Sequence, residues 1–305
     1  MEGLVHGNFS EADAVRVLED IEKVAQEAAR IREGGDNGAV VPKKDGTVFK
    51  YPEEPIVRLD PSQHILYCSP SKDPTEQNCA LEVYWQICEN NVEQRVLADA
   101  IEQVVMSEPF YDQLRTKEQL GYSVGCSPRV TYGVLGFCVT AQSAAYGPAH
   151  LYARVRAFMK SFRDTLADMT EEAFSTHMAS AAANKLQPDN LLSEETQRHW
   201  PEINTRRRSF HVNVEEAHVM RRLEKATVVK AYEEWFSVGV AGKPCLTLTV
   251  TGGGKFSAED EAAAMETKIK EEHKEGVSRT RVVPIATPQD LFSPSDGRGL
   301  FPNLV

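Results

Sequence analysis

Between Cys79 and Ile87 the chain alternates: Cys79, Leu81, Val83, Trp85 and Ile87 fall on one side, Glu82, Tyr84 and Gln86 on the other. Successive side chains of a strand point to opposite faces, so this stretch is committed to a strand with one buried and one polar face, the pattern of an antiparallel sheet. Such a strand needs neighbours to pair with and a second layer to cover its apolar face. The rest of the chain offers both. Strands are expected at about 55–60, 63–69, 122–128 and 133–142, the last two paired as a hairpin around Thr131-Tyr132-Gly133, and at 245–251, where Leu246, Leu248 and Val250 alternate with three threonines. Helical spacing marks about 91–107, 148–167 (Leu151, Val155, Phe158, Phe162 and Leu166), a helix capped by Thr170 with Phe174 and Met178 inward, and segments near 193–207, 214–225 and 227–237. Strands, helix, hairpin, several helices, strand is the order of an α+β layer: an antiparallel sheet with helices packed on one face.

The ends read differently. Residues 2–7 suggest a short strand, and Ser10 with Asp13 caps a helix running to about Arg32, with Val15, Leu18, Ile21 and Val24 as its buried stripe. A lone strand and helix cannot bury their own apolar faces. Residues 1–32 are therefore expected to be the end of a preceding domain, its helix packed on the body or on a second copy of the chain in a homodimer. Residues 33–54 carry Gly34-Gly35, Asp36-Asn37-Gly38, Pro42, Asp45-Gly46 and Pro52, the composition of a linker. The main domain is then 55–305. Within it, 257–275 is rich in Glu, Ala and Lys and reads as an exposed helix or mobile insertion, and Leu291-Phe292 and Leu300-Phe301-Pro302 as apolar anchors of a tail.

Composition excludes several functions. A formal charge of −11 argues against general nucleic-acid binding, which needs clustered Lys and Arg. The one compact basic run, Arg206-Arg207-Arg208, reads as a solvated helix face. No apolar run is long enough to span a membrane, and no charged-then-apolar opening suggests a signal peptide. None of the six cysteines has Cys-x-x-Cys spacing; they read as reduced, buried thiols of a cytoplasmic protein.

The stretch from Glu108 to Tyr122 carries the chemistry. Pro109 suits a first helical position. Phe110 and Leu114 form an apolar stripe. Gly121 suits the left-handed residue that ends a helix, and Tyr122 then enters a strand. Arg115 and Tyr122 thus flank one sharp corner, and both donate hydrogen bonds. A plain structural role competes: a cation near a helix C-terminus complements the macrodipole, and tyrosine is ordinary at a strand start.

The run Arg-Thr-Lys-Glu-Gln-Leu-Gly-Tyr at 115–122, preceded by Ser107-Glu108-Pro109, resembles a signature in the C-terminal half of the insulinase/pitrilysin family of zinc metallopeptidases. Leu4-Val5-His6-Gly7-Asn8 looks like the last strand of that family's third domain. The resemblance runs over about 1–252 and returns weakly at the tail. It implies four similar domains in two halves that close on a chamber, of which this chain holds the end of the third and the whole fourth. It further implies that Arg115 and Tyr122 orient the backbone of a peptide substrate, and that zinc is bound by the N-terminal half of the same protein.

The zinc motif itself is not in the sequence. None of the eight histidines begins His-x-x-Glu-His or His-Glu-x-x-His, so the zinc ligands are expected outside this chain and the chain alone is expected to be inactive. His211, Glu215 and His218 share a helical face only if one helix runs through them, and Asn213 reads as a cap that would exclude His211. Cys126, just past the corner, is the best candidate for a nucleophile, but packing of Tyr122, Val124 and Cys126 on one strand face explains it. Some family members carry a lysine cluster after the helix near 171–186. Here that loop is Gln187-Pro188-Asp189-Asn190, which argues against regulation by polyanions through it. Two functions remain open: the peptidase portion, and a non-enzymatic binding or assembly module of the same fold.

Overall fold

A computed structural model describes residues 3–33, 56–204, 207–236, 243–274 and 281–287. The linker 33–54, apart from Glu33, and the two tail anchors lie outside the described residues, or at their margin. The chain divides into two compact units, one of residues 1–54 with 188–210, the other of 55–187 with 211–304.

In the larger unit, six strands form one sheet in the order β3-β4-β2-β5-β1-β6. They are β1 (Gln63–Pro70), β2 (Cys79–Glu89), β3 (Ser123–Thr131), β4 (Val134–Ser143), β5 (Cys245–Thr251) and β6 (Arg281–Ile285). The run β3-β4-β2-β5 is antiparallel, as the alternation in β2 demands. β1 departs from it, pairing parallel with β5 on one side and β6 on the other. β6 was not legible in advance. The expected strand at 55–60 is reduced to a single bridge at Val57. Its place is taken by a side chain: the Gln86 amide accepts from Leu59 N–H and donates to Val57 C=O, both at 2.9 Å, mimicking a strand partner and burying Gln86 on the supposedly polar side. Tyr132 and Gly133 both have positive φ, the two-residue turn that matches strand twist in a hairpin.

Helices cover one face: α2 (Val92–Asp99), α3 (Ser107–Tyr111), α4 (Pro148–Asp168), α5 (Glu171–Lys185), α7 (Val212–Met220), α8 (Lys225–Phe236) and α9 (Ala258–Lys274). The inward residues of β2 meet Leu151, Val155, Phe158, Phe162 and Leu166 of α4 and Trp235 and Phe236 of α8 in one core. In β5 the registry sets Thr247 opposite Val83 and Thr249 opposite Leu81, so the threonines are the buried set and the leucines face outward. The stretch 257–275 is no mobile insertion. Met265 and Ile269 of α9 are fully buried, Glu261 accepts from Ala149 N–H at the start of α4 (2.9 Å), and Glu272 binds Arg156 Nε and Tyr152 Oη, each at 2.5 Å. Two apolar residues and three part-buried polar contacts hold a helix whose composition gives it little apolar face.

The smaller unit contains α1 (Glu11–Glu33) and α6 (Leu192–Asn204). Ser10 caps α1 as expected, accepting from Asp13 N–H. Residues 3–6 are not a strand, and among the described residues none pairs with them. The stripe is not buried either: Val15, Ile21 and Val24 are 50, 48 and 67% exposed, and of the four only Leu18 is partly covered, close to Gly3. His6 ties this segment to α6 through Thr196 (2.7 Å) and Glu195 (3.1 Å). Of the basic run, Arg206 lies outside the described residues; Arg207 and Arg208 are not helical, and the Arg207 guanidinium grips the buried Glu202 carboxylate.

Candidate functional site

The corner begins as a helix that does not keep one pitch. Asn91 caps α2, its side chain accepting from Gln94 N–H at 2.9 Å. From Ala100 to Met106 the turns widen to the π form, tighten through α3, and widen again from Asp112 to Lys117. The helix therefore runs on past 107, and Pro109 is the third residue of α3 rather than a first helical residue. A proline ring collides with the carbonyl four residues back in a regular helix; a widened turn just before it removes that collision. Phe110 and Leu114 are fully buried, Phe110 edge-on to Phe158 with ring centroids 5.1 Å apart.

The helix ends at Lys117, and the left-handed residue that closes it is Gln119, not Gly121. Gln119 has φ +52°, and Leu120 N–H returns to Leu114 C=O at 3.0 Å. Leu120 is buried and pins the turn. Gly121 is required for a different reason. A Cβ there would lie 1.8 Å from Gln142 O and 2.9 Å from Gln142 C, so the bare backbone of the corner rests on the backbone of β4. Tyr122 follows, one residue before β3.

This arrangement brings the two anticipated residues together and adds a third. The Arg115 guanidinium carbon lies 4.8 Å from the Tyr122 ring centroid and 4.7 Å from that of Tyr111. Arg115 is thus held between two aromatic faces, contacts of about 0.5–1 kcal/mol each at an exposed site. Among the described residues no carboxylate or carbonyl accepts from it. Tyr122 is 87% exposed. The corner is a planar cation, half-buried between two rings, with an exposed phenol beside it. Tyr111 escaped the sequence reading, although a Tyr and an Arg four apart on a helix is a visible signal.

Carboxylates flank the cation without touching it. Asp112, three residues before Arg115, is taken by Lys117 at 2.7 Å. Glu118, three residues after, accepts from Arg154 Nε and Nη2, each at 2.7 Å, and from Gln113 Nε2 at 2.8 Å. The Arg154 fork holds the Glu118 carboxyl below the usual carboxylate range.

The decoys fall away. Burial pushes the Cys126 thiol up to about 12, away from the thiolate that a nucleophile needs. α7 begins at Val212 with His211 as its flanking residue; Asn213 lies inside the helix and is not its cap. Among the described residues no three His, Cys, Asp or Glu side chains are grouped so as to hold a metal.

The fold of the chain is that of an insulinase-type peptidase domain. It superposes on the crystal structure of pitrilysin with a TM-score of 0.66 at 17% identity, over 97% of this chain and 27% of that one. Residues 101–200 match the model of the PQQ synthase PqqF-like C-terminal lobe, domain 4. Among curated proteins, a nardilysin-like protein of Arabidopsis thaliana is 31% identical over 242 residues, 77% of this chain and 22% of the relative. Human insulin-degrading enzyme is 29% identical over 238 residues, 78% of this chain and 22% of the relative. The chain belongs to the insulinase/pitrilysin family, as a C-terminal part of such a peptidase, and spans about a fifth of the length of these relatives.

Proposed function

We propose that this chain is the C-terminal, substrate-enclosing portion of an insulinase-type zinc metalloendopeptidase that degrades peptides. Residues 1–32 are the end of its third domain, 33–54 a linker and 55–305 its fourth. The zinc and its ligands belong to the N-terminal half of the same protein. Arg115 and Tyr122 donate hydrogen bonds to the backbone carbonyls of an extended peptide and to the carbonyl oxygen that gains negative charge as the bond is attacked. The single observation that carries this is the donor pair itself: a cation fixed by two rings, without an acceptor, next to an exposed phenol. An arginine that served only the fold would have found a carboxylate, as Arg95, Arg129, Arg156 and Arg163 have. Fixed donors aimed at developing charge cost no reorganisation during reaction, and removing one lowers kcat by roughly 10²–10³.

The test is Tyr122→Phe in the full-length enzyme. The ring stays on Arg115 while the hydroxyl is lost. The expected outcome is a fall in kcat/KM of about 100-fold with peptide binding affinity changed little. Equal losses in both would mean that Tyr122 makes no contact special to the transition state.

A further inference from the structure

What holds the Arg115 guanidinium is aromatic: its carbon lies 4.7 Å from the Tyr111 ring centroid and 4.8 Å from that of Tyr122. A guanidinium is planar and its N–H groups form a rigid fork in that plane. Rings that cover its faces leave only its edge to donate, so the rings decide where the donors point. The two rings are not equally held. Tyr122 lies beyond the end of the helix and is 87% exposed, against 42% for Tyr111. Tyr111 is the last residue of α3. It directly follows Phe110, which is fully buried and edge-on to Phe158, and Leu114, three residues on, is fully buried too. The backbone of Tyr111 is therefore fixed to the core on both sides. Among the described residues its hydroxyl takes no hydrogen-bond partner, and its ring faces Arg115.

We propose that Tyr111 is a positioning residue for the corner: as the better anchored of the two rings on Arg115, it fixes the plane of the guanidinium and so the direction of its N–H groups. Arginine is rich in rotamers, and one with no carboxylate to fork onto spreads over them in solvent. Tyr111 removes that freedom before a peptide arrives, and Tyr122 covers the other face. Tyr111 lies outside the 115–122 run and acts through Arg115. Its consequence for the reaction rests on the reading of Arg115 as a substrate donor, whereas the orientation itself is observable in the chain without any substrate.

The experiment follows the Arg115 Nε–H signal by NMR in the 305-residue chain, assigned by its loss in Arg115→Lys. A proton held over the face of a ring is shifted upfield, and the two rings stand at nearly equal distances. Tyr111→Leu, which removes the ring and keeps a helix former, should abolish at least about half of that shift, more than half because Tyr122 alone does not hold the cation. Tyr111→Phe keeps the ring and should restore the shift; Tyr111→Met repeats the comparison if Y111L does not fold. An Arg115 signal that Y111L leaves in place overturns the proposal. In the full-length enzyme Y111L should lower kcat about tenfold with KM nearly unchanged, since donors that point astray cost rate more than binding, and Y111F should rescue it. In an Arg115→Lys background Y111L should have little further effect, because an ammonium has no plane for a ring to set. A full loss there would mean that Tyr111 acts independently of Arg115, and would also overturn the proposal. If the signal behaves as expected but R115K leaves kcat/KM unaltered, the orienting role of Tyr111 stands and the substrate role of Arg115 is what fails.

Discussion

Gly121→Ala is the sharpest perturbation that the corner allows. A methyl at this position would begin 1.8 Å from the Gln142 carbonyl oxygen and 3.2 Å from Ser143 Cα. Carbon and carbonyl oxygen in close non-bonded contact stay about 3.3–3.6 Å apart, so the corner and β4 must separate by roughly 1.5 Å. The obstacle is strand backbone, paired with β2 on its far side, and cannot turn aside as a side chain would. Overpacking of this kind costs about 1–3 kcal/mol, and for a domain of this size each kcal/mol lowers Tm by about 2–4 °C. A drop of roughly 2–12 °C is expected in thermal melts of the chain. The displacement also moves Tyr122, the next residue. A misplacement of about 1 Å can cost 100-fold in rate, so in the full-length enzyme kcat/KM should fall at least as far as in Tyr122→Phe. Gln119→Gly is the internal comparison. It replaces a residue at φ +52°, relieving about 1–2 kcal/mol of left-handed strain against about 0.5–1 kcal/mol of lost chain entropy, and should melt at or slightly above the original chain. If G121A melts with the unaltered protein, the backbone contact is not what selects glycine and the reasoning about the corner is wrong.

Other outcomes follow from the same structure. Glu272→Ala strands the Arg156 guanidinium, which is 12% exposed, and should cost about 3–5 kcal/mol, with hydrogen exchange accelerating first in α9; uniform exchange would show that the pair does not hold the helix. Burial pushes the Cys126, Cys138 and Cys245 thiols up to about 12 from an ordinary value of 9.0. Below pH 9.0 neither folded nor unfolded chain ionises them. Between 9.0 and about 12 the unfolded chain loses protons that the fold retains, so urea melts should show stability falling as pH rises through that interval; a flat profile would contradict their burial. The purified chain should bind no stoichiometric zinc and cleave no peptide. Zinc-dependent cleavage by the chain alone would place the catalytic centre here after all.

What could be read from the residues was what neighbours in sequence decide. The β2 alternation, the inner face of α4, the Thr170 cap, the hairpin at Tyr132-Gly133 and the stripe of Phe110 and Leu114 all depend on local periodicity or turn chemistry, and all are present. The departures lie where a distant partner decides. Gly121 looked like a helix terminator because its contact with Gln142 is invisible from its own surroundings. α9 looked solvated because Met265 and Ile269 are few, and its polar anchors Arg156 and Tyr152 sit on another helix. The α1 stripe looked buried because spacing reports amphipathicity, not whether a partner is present. At the corner, the sequence placed Arg115 and Tyr122 on one bend and the structure sets them side by side, whereas Tyr111 on the other face of Arg115 entered only through geometry.

β1 bears on how the protein is made. It is the first strand of its sheet in chain order, yet both of its partners come much later: His64 pairs with Cys245, about 180 residues on, and then with Val282. Until those arrive, a strand with two unsatisfied edges must wait beside a half-built sheet, the kind of exposure that invites wrong pairings. Closing so long a stretch is slow more than it is costly. During synthesis the nascent domain should therefore stay sensitive to proteases until translation has passed β6, and nonsense mutations just upstream of Arg281 should yield misassembled products although every residue of the corner has been translated.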